Sequence, residues 1–234
     1  MSILVVTATG TEVGKTIVTA ALASLAPHTT AVVKLGQTGV DAHGSGDIDV
    51  VRALSGCHSV YEFVRYPDPL SPHHAARIRG LPTLTRADAV GRVNDLAAKN
   101  QIVVVEGSGG ALVPFDETGW TVLDLAADLD AQILLVTSAS LGTLNHTALT
   151  VRAIAAAGLS LAGIVVGSWP ATPGLAERCN LRDLAAMSGK GRLAGALRAG
   201  IPDVSDFSAE ARTALGPELG GSFDWAAFAA SYES

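Results

Sequence analysis

Five short apolar runs recur along the chain: Ile3–Thr7, Thr30–Gly36, Gln101–Gly107, Gln132–Ser138 and Ala162–Ser168. Each is rich in β-branched residues and almost continuously hydrophobic, as a strand buried on both faces of a parallel sheet must be. Helical patterns fill the intervals. Lys15–Leu25 is alanine-rich, Thr85–Lys99 opens on Thr85-Arg86-Ala87-Asp88 in the manner of a capping box, and Thr143–Ala157 is a third. Strands alternating with helices predict a doubly wound α/β fold: a mostly parallel sheet, helices on both faces, right-handed crossovers. With no repeat, linker or low-complexity segment, residues 1–234 are expected to form one domain. The Gly/Pro-rich part after Gly200 carries the weakest pattern.

Composition narrows the class of partner. A chain 48% hydrophobic and 16% charged suits a packed globule. Its net charge of −6 removes the broad attraction for polyanions that a nucleic-acid binder uses, so no nucleic-acid partner is expected and phosphate recognition must be local. Cys57 and Cys179 are too few and too far apart for a metal motif or disulfide framework. They are read as reduced residues of a cytoplasmic protein. The first residues enter an apolar strand without a basic leader. No apolar run approaches the ~18 residues of a membrane span, so no membrane partner is expected.

In an open parallel sheet, ligands bind beyond the carboxyl ends of the strands. Residues 8–16, Lys34–Gly39, Glu106–Gly110, Ser138–Asn145 and Gly167–Pro170 are therefore expected to open on one edge. The first of these contains Gly14-Lys15-Thr16, the closing part of G-x-x-x-x-G-K-[ST], set between a strand and a helix. A helix start offers free N–H groups and a positive dipole to a polyphosphate. Lys15 adds a mobile charge near the β- and γ-phosphates, and Thr16 a hydroxyl for Mg²⁺. The architecture expected is thus P-loop NTPase-like. The usual first glycine is missing, since Thr9 stands five positions before Gly14.

The segment T-x-T-x-T-E-V-G-K-T resembles the loop of the dethiobiotin synthetase family, whose first glycine lies six residues before the second. That register places Ala8 at the glycine. Alanine restricts positive φ and close backbone approach, so the backbone is expected to enter the loop along another path. Four further segments carry the resemblance in the same order. Lys34-Leu35-Gly36-Gln37-Thr38-Gly39 is similar to K-P-x-x-[ST]-G, with Leu35 for proline, and Glu106-Gly107-Ser108-Gly109-Gly110 to E-G-A-G-G. Pro69–Arg77 is similar to P-x-S-P-H, and Ser140–Thr150 to L-G-x-I-N-H. The helix starting at Asp47 falls where the family has a metal-binding aspartate; alignment of Ala53-Leu54-Ser55-Gly56 favours Asp47 over Asp49, and an aspartate there also serves as an N-cap. His73 and His74 are read as loop residues, because no acidic partner has ligand spacing. The resemblance covers about Ser2 to Gly200.

The resemblance implies ATP-dependent closure of a cyclic urea. One amine of 7,8-diaminononanoate captures CO₂ as a carbamate, ATP phosphorylates the carbamate, and the second amine displaces phosphate to give dethiobiotin. Lys34, Lys15 and Thr11 would serve catalysis. Nucleotide would be held by Glu12, Val13, Gly14, Lys15, Thr16 and Ile17, with Asp47, with Glu106, Gly107, Ser108 and Gly109, and with Gly167, Ser168, Leu197, Arg198 and Ala199. Thr38 would bind substrate together with Leu141, Gly142, Thr143, Leu144 and Asn145, the latter turn receiving the substrate carboxylate from the neighbouring subunit of a homodimer. Thr16, Asp47 and Glu106 would hold Mg²⁺. Gly167-Ser168 stand where the family has Asn-Asp facing the adenine, so ATP is expected to work with other triphosphates, CTP included, working comparably or better. A partitioning or iron-protein-like switch ATPase shares the fold but carries a lysine four residues before the last loop glycine, and here that position is Gly10. A small-molecule kinase of this fold would instead release a phosphorylated product.

Overall fold

The computed structural model describes residues 2–232. Seven strands form its sheet: β1 (Ser2–Ala8), β2 (Thr30–Thr38), β3 (Val60–Tyr66), β4 (Ile102–Glu106), β5 (Gln132–Thr137), β6 (Leu161–Trp169) and β7 (Gly195–Arg198). Their order is β3-β2-β4-β1-β5-β6-β7. All ladders between them are parallel rather than mostly so. The antiparallel contribution among the described residues is an isolated bridge, Gly195 to Leu215. The five apolar runs become β1, β2, β4, β5 and β6, with β1 at the centre.

The helices are α1 (Lys15–Leu25), α2 (Asp47–Ser55), α3 (Pro72–Arg79), α4 (Arg86–Ala97), α5 (Val122–Asp128), α6 (Thr143–Ala156), α7 (Leu175–Met187), α8 (Phe207–Ala214) and α9 (Trp225–Ala230). Alternation along the strands divides the core in two. Val5, Val33, Val105 and Leu135 pack with α4, α5, α6 and α7 on one face. Val6, Val32, Val104 and Leu134 pack with α1, α2 and α8 on the other. Both faces are thus buried, which is why the central runs are almost continuously apolar.

Three expectations are corrected. β3 and β7 extend the sheet at its two edges. Lys34 does not end its strand, because β2 continues to Thr38; Lys34 reaches the ligand edge because its ladder partner Glu106 is the last residue of β4. His73 and His74 lie in the first turn of α3 and not in a loop. Pro72 at the first helical position presets φ for the helix, and Gly80 closes it in the left-handed conformation. At Thr85 the expected cap forms, the hydroxyl accepting from the Asp88 N–H at 3.1 Å.

Candidate functional site

The loop between β1 and α1 is built without a glycine at its start. Ala8 is the last residue of β1, fully buried and paired with Val136, so its backbone is extended and needs no positive φ. The turn is made further on, at Glu12 (φ 59°) and Gly14 (φ 96°). Gly14 is the residue preceding α1, and a Cβ there would sit 2.7 Å from the Gly167 carbonyl oxygen. A Cβ on Gly167 would collide with the Val13 carbonyl oxygen in return. Loop and β6 meet backbone to backbone, a contact only two glycines permit.

Four side chains converge beside that loop. Lys34 is 5% exposed, and its Nζ lies 2.6 Å from Asp47 Oδ2 and 2.8 Å from Glu106 Oε1. It also donates to the Gly107 carbonyl at 3.2 Å. Thr16 Oγ1 donates to the same Glu106 Oε1 at 2.9 Å. Burying charges costs several kcal/mol per ion unless they are paired and hydrogen-bonded, and these are both. Burial alone would lower the Lys34 pKa, yet the Glu106 and Asp47 carboxylates more than offset it and hold the ammonium above the ordinary lysine range. Lys15 has the opposite fate. Burial first, then repulsion from Lys34, brings it down to about 8, with Glu106 and Asp47 opposing. Its Nζ donates to the Gly10 carbonyl at 2.9 Å, folded back across the loop.

These groups line a cleft of about 380 Å³ together with Thr11, Glu12, Gly14, Ile17, Thr38, Ser108 and Gly109. Gly36 and Gln37 complete the wall; the sequence placed them in the Lys34–Gly39 segment without giving either a role. Gln37 is 6% exposed and its Oε1 accepts the Asp47 N–H at 2.8 Å. The available signal was a glutamine directly after a mostly apolar run, where a buried amide has to find partners. Other expected residues lie apart. Leu141–Asn145 open α6 outside this cleft, and Leu141 is 88% exposed. Gly167 is buried under the loop and Ser168 is exposed. Leu197 is fully buried, backbone included. Arg198 pairs with Glu210 at 3.1 Å, and the Ala199 N–H is already given to the Trp169 carbonyl at 2.7 Å.

A G-K-T loop feeding a helix from the central strand of a parallel sheet, with a hydroxyl, two carboxylates and two ammonium groups around it, defines a nucleoside-triphosphate-binding α/β protein of the phosphate-loop class. Residues 2–209 match the family described as AAA domain. A ParA family ATPase from Chlorobium tepidum has the same fold, with a TM-score of 0.53 at 13% identity over 94% of this chain and 95% of that one. The closer likeness is in sequence. The chain is 51% identical over its full length, and that of the relative, to an ATP-dependent dethiobiotin synthetase BioD of Frankia casuarinae. It is 56% identical over 81% of its length to the Rhodococcus jostii protein of that name, covering 83% of the latter. The chain belongs to the dethiobiotin synthetase family.

Proposed function

We propose that this chain, as one domain, converts 7,8-diaminononanoate, CO₂ and ATP to dethiobiotin, ADP and phosphate through a carbamate and a carbamic-phosphoric anhydride. One free amine forms a C–N bond to CO₂ and gives up a proton. A carbamate oxygen then takes the γ-phosphoryl group and ADP leaves. The second amine attacks the carbonyl carbon, closing the ring as phosphate departs with its electron pair and the amine loses a proton. Negative charge accumulates on the carbamate and on the transferred phosphoryl group. The reaction needs cations and oriented donors, not a covalent nucleophile.

The observation that carries this reading is Lys34. Binding triphosphate needs only the loop and Lys15; a second buried ammonium, close enough to depress the Lys15 pKa, supplies charge where a carbamate would lie. Thr11 and Thr38, both on the cleft wall, would orient carbamate and diamine. Thr16, Asp47 and Glu106 present only oxygen donors, the set a hard divalent cation takes. No group of three or more His, Cys, Asp or Glu side chains suited to a metal occurs among the described residues. That agrees with Mg²⁺, which keeps water and phosphate oxygens beside one or two carboxylates. When bound, it would offset phosphate charge during transfer.

The exposed Leu141 turn, lying outside the cleft of its own chain, supports a homodimer in which it reaches the partner's site. A helix start receives a carboxylate without a charged side chain. Sedimentation showing a fully active monomer at assay concentration would refute this sharing. No helix among the described residues is long and apolar enough to cross a membrane. We place the enzyme in the cytoplasm, where its small-molecule substrates are met without a nucleic-acid or membrane partner. The central test is turnover of diaminononanoate with nucleotide, Mg²⁺ and labelled bicarbonate. Label should enter a stable cyclic urea, and a phosphorylated product without ring closure would favour the kinase reading.

A further inference from the structure

Arg65, on the edge strand β3, reaches over to the loop that joins β2 to α2. Its Nη1 donates to the carbonyl oxygens of Asp41 at 2.9 Å and Gly44 at 2.7 Å. Its Nε and Nη2 donate to the two oxygens of Glu62 at 2.6 Å and 2.9 Å. That fork fixes the guanidinium plane, and with side-chain exposures of 22% and 12% neither partner is free in solvent. The last loop residue, Gly46, is pressed between two side chains. A Cβ there would stand 2.9 Å from Arg65 Nη2 and 3.0 Å from Gln37 Oε1. The next residue is Asp47, whose N–H is held by that same Gln37 oxygen.

The loop has few other anchors. Asp41 accepts the N–H groups of His43 and Gly44 at 3.0 and 2.8 Å, and Asp49 accepts that of Gly46 at 2.9 Å. Those bonds are local and would travel with the loop if it moved. Gly44-Ser45-Gly46 gains no rigidity from side chains of its own. The ties from the sheet to the backbone of this segment are Arg65 and Gln37, while the Asp47 carboxylate itself is met by the Lys34 ammonium at 2.6 Å.

We propose that Arg65, clamped by Glu62, is a positioning residue that sets where the Asp47 carboxylate stands for divalent-cation binding. This rests on the reading of Asp47 as a metal ligand. A group in direct contact with a metal ligand costs metal affinity by about 10–100-fold when removed; Arg65 acts one step further out, through the loop backbone, so a smaller loss is expected. An ion pair that merely staples the sheet edge would alter melting temperature and leave metal affinity alone.

The test compares Arg65→Gln, Arg65→Lys, Glu62→Gln and Asp47→Asn in the full chain. Mn²⁺ affinity is read from the paramagnetic resonance of free Mn²⁺ in the presence of a non-hydrolysable ATP analogue, and amide exchange is followed over residues 41–48. Arg65→Gln should weaken Mn²⁺ by at least about threefold, below the range for a direct partner of a ligand, speed exchange in the loop, and leave metal-free nucleotide affinity within a few-fold. Turnover should return at saturating Mg²⁺. Arg65→Lys should recover part of the loss, since an ammonium reaches a carbonyl but cannot fork with Glu62. Glu62→Gln should show the same loss in smaller measure, and it carries the test if Arg65→Gln does not fold. Unchanged Mn²⁺ affinity in the Arg65 and Glu62 variants, with Asp47→Asn weakened, overturns the inference alone. Unchanged affinity in Asp47→Asn overturns the metal reading and the inference with it.

Discussion

Lys34 and Glu106 face each other across the β2–β4 ladder, and the ammonium reaches the carboxylate at 2.8 Å. The sheet itself imposes this pairing, so the charge of Lys34 is delivered to the cleft without a flexible loop. Lys34→Gln should therefore leave nucleotide affinity within a few-fold and cut turnover by about 10²–10³, the scale of one lost transition-state contact. Near-normal turnover would remove Lys34 from the mechanism. A melting curve run alongside separates this from unfolding, because the variant leaves Glu106 with Thr16 as its hydrogen-bond donor.

Glu106→Gln keeps the shape and one oxygen for Thr16 while removing the charge shared with Lys34. The Mg²⁺ concentration needed for half-maximal activity should rise. Metal titrations that overlay those of the unaltered chain would rule out a ligand role.

The two lysines give opposite pH responses. Lys15, brought down to about 8, binds its proton less well folded than unfolded, where 10.5 applies. From about 8 to 10.5 the unfolded chain holds more protons at this site, so its contribution to stability rises with pH across that window. Lys34 is raised, so its contribution is intact below the ordinary lysine range and is lost as pH climbs through its folded value. A triphosphate beside Lys15 favours the ammonium, so nucleotide binding above pH 8 should take up protons. Calorimetry in two buffers of different ionisation enthalpy measures that uptake. It should vanish in Lys15→Met, and equal heats in both buffers for the unaltered chain would contradict the mechanism.

Two substitutions separate a glycine that must be small from a position where the family's glycine is dispensable. Gly167→Ala drives a methyl group into the Val13 carbonyl and should displace the loop, weakening nucleotide by about tenfold or more, or 1.4 kcal/mol. Ala8→Gly acts on extended strand backbone and should leave affinity within a few-fold, with a loss of about 0.5–1 kcal/mol in stability. Titration with a fluorescent nucleotide tests both, and equal effects would show that the loop does not lean on β6.

Base selectivity is the fifth expectation. With Gly167 buried and Ser168 carrying a lone hydroxyl, directional contacts worth about 1–3 kcal/mol each in base reading are missing at the family's Asn-Asp positions. Phosphate contacts remain, so ATP should work and CTP should work comparably or better. Steady-state kcat/KM over four nucleotides decides it. An ATP preference above about 100-fold would mean that another residue reads adenine.

The central strands were legible because both their faces are buried and each leaves an almost continuous apolar run. β3 was not: Val60-Tyr61-Glu62-Phe63-Val64-Arg65-Tyr66 pairs with a single neighbour, and its Glu62 and Arg65 interrupt the apolar pattern. β7 is only four residues, Gly195-Ala196-Leu197-Arg198, too short to show a period. For the cleft, position relative to a strand end placed Lys34, Thr16 and Glu106 near one another, and the family resemblance added Asp47. Their mutual contacts, the hold of Gln37 on Asp47, and the packing of Gly14 on Gly167 join residues distant in the chain, and no local pattern encodes such distances.

The central place of β1 has a consequence during synthesis. β1 is made before both of its neighbours, which begin at Ile102 and Gln132, because Ser2 pairs with Ile102 and Leu4 with Gln132. At about 5–20 residues per second, the ribosome needs about 5–20 s to supply the first of them. For that interval Ile3 to Val6 have two unpaired strand edges, although α1, α2 and α4, made before β4, can already shelter their faces. The loop that follows β1 therefore cannot take its place between the ends of β4 and β5 until both of those strands are made. The chain's exposure to misassociation on the ribosome is set by the sheet's strand order.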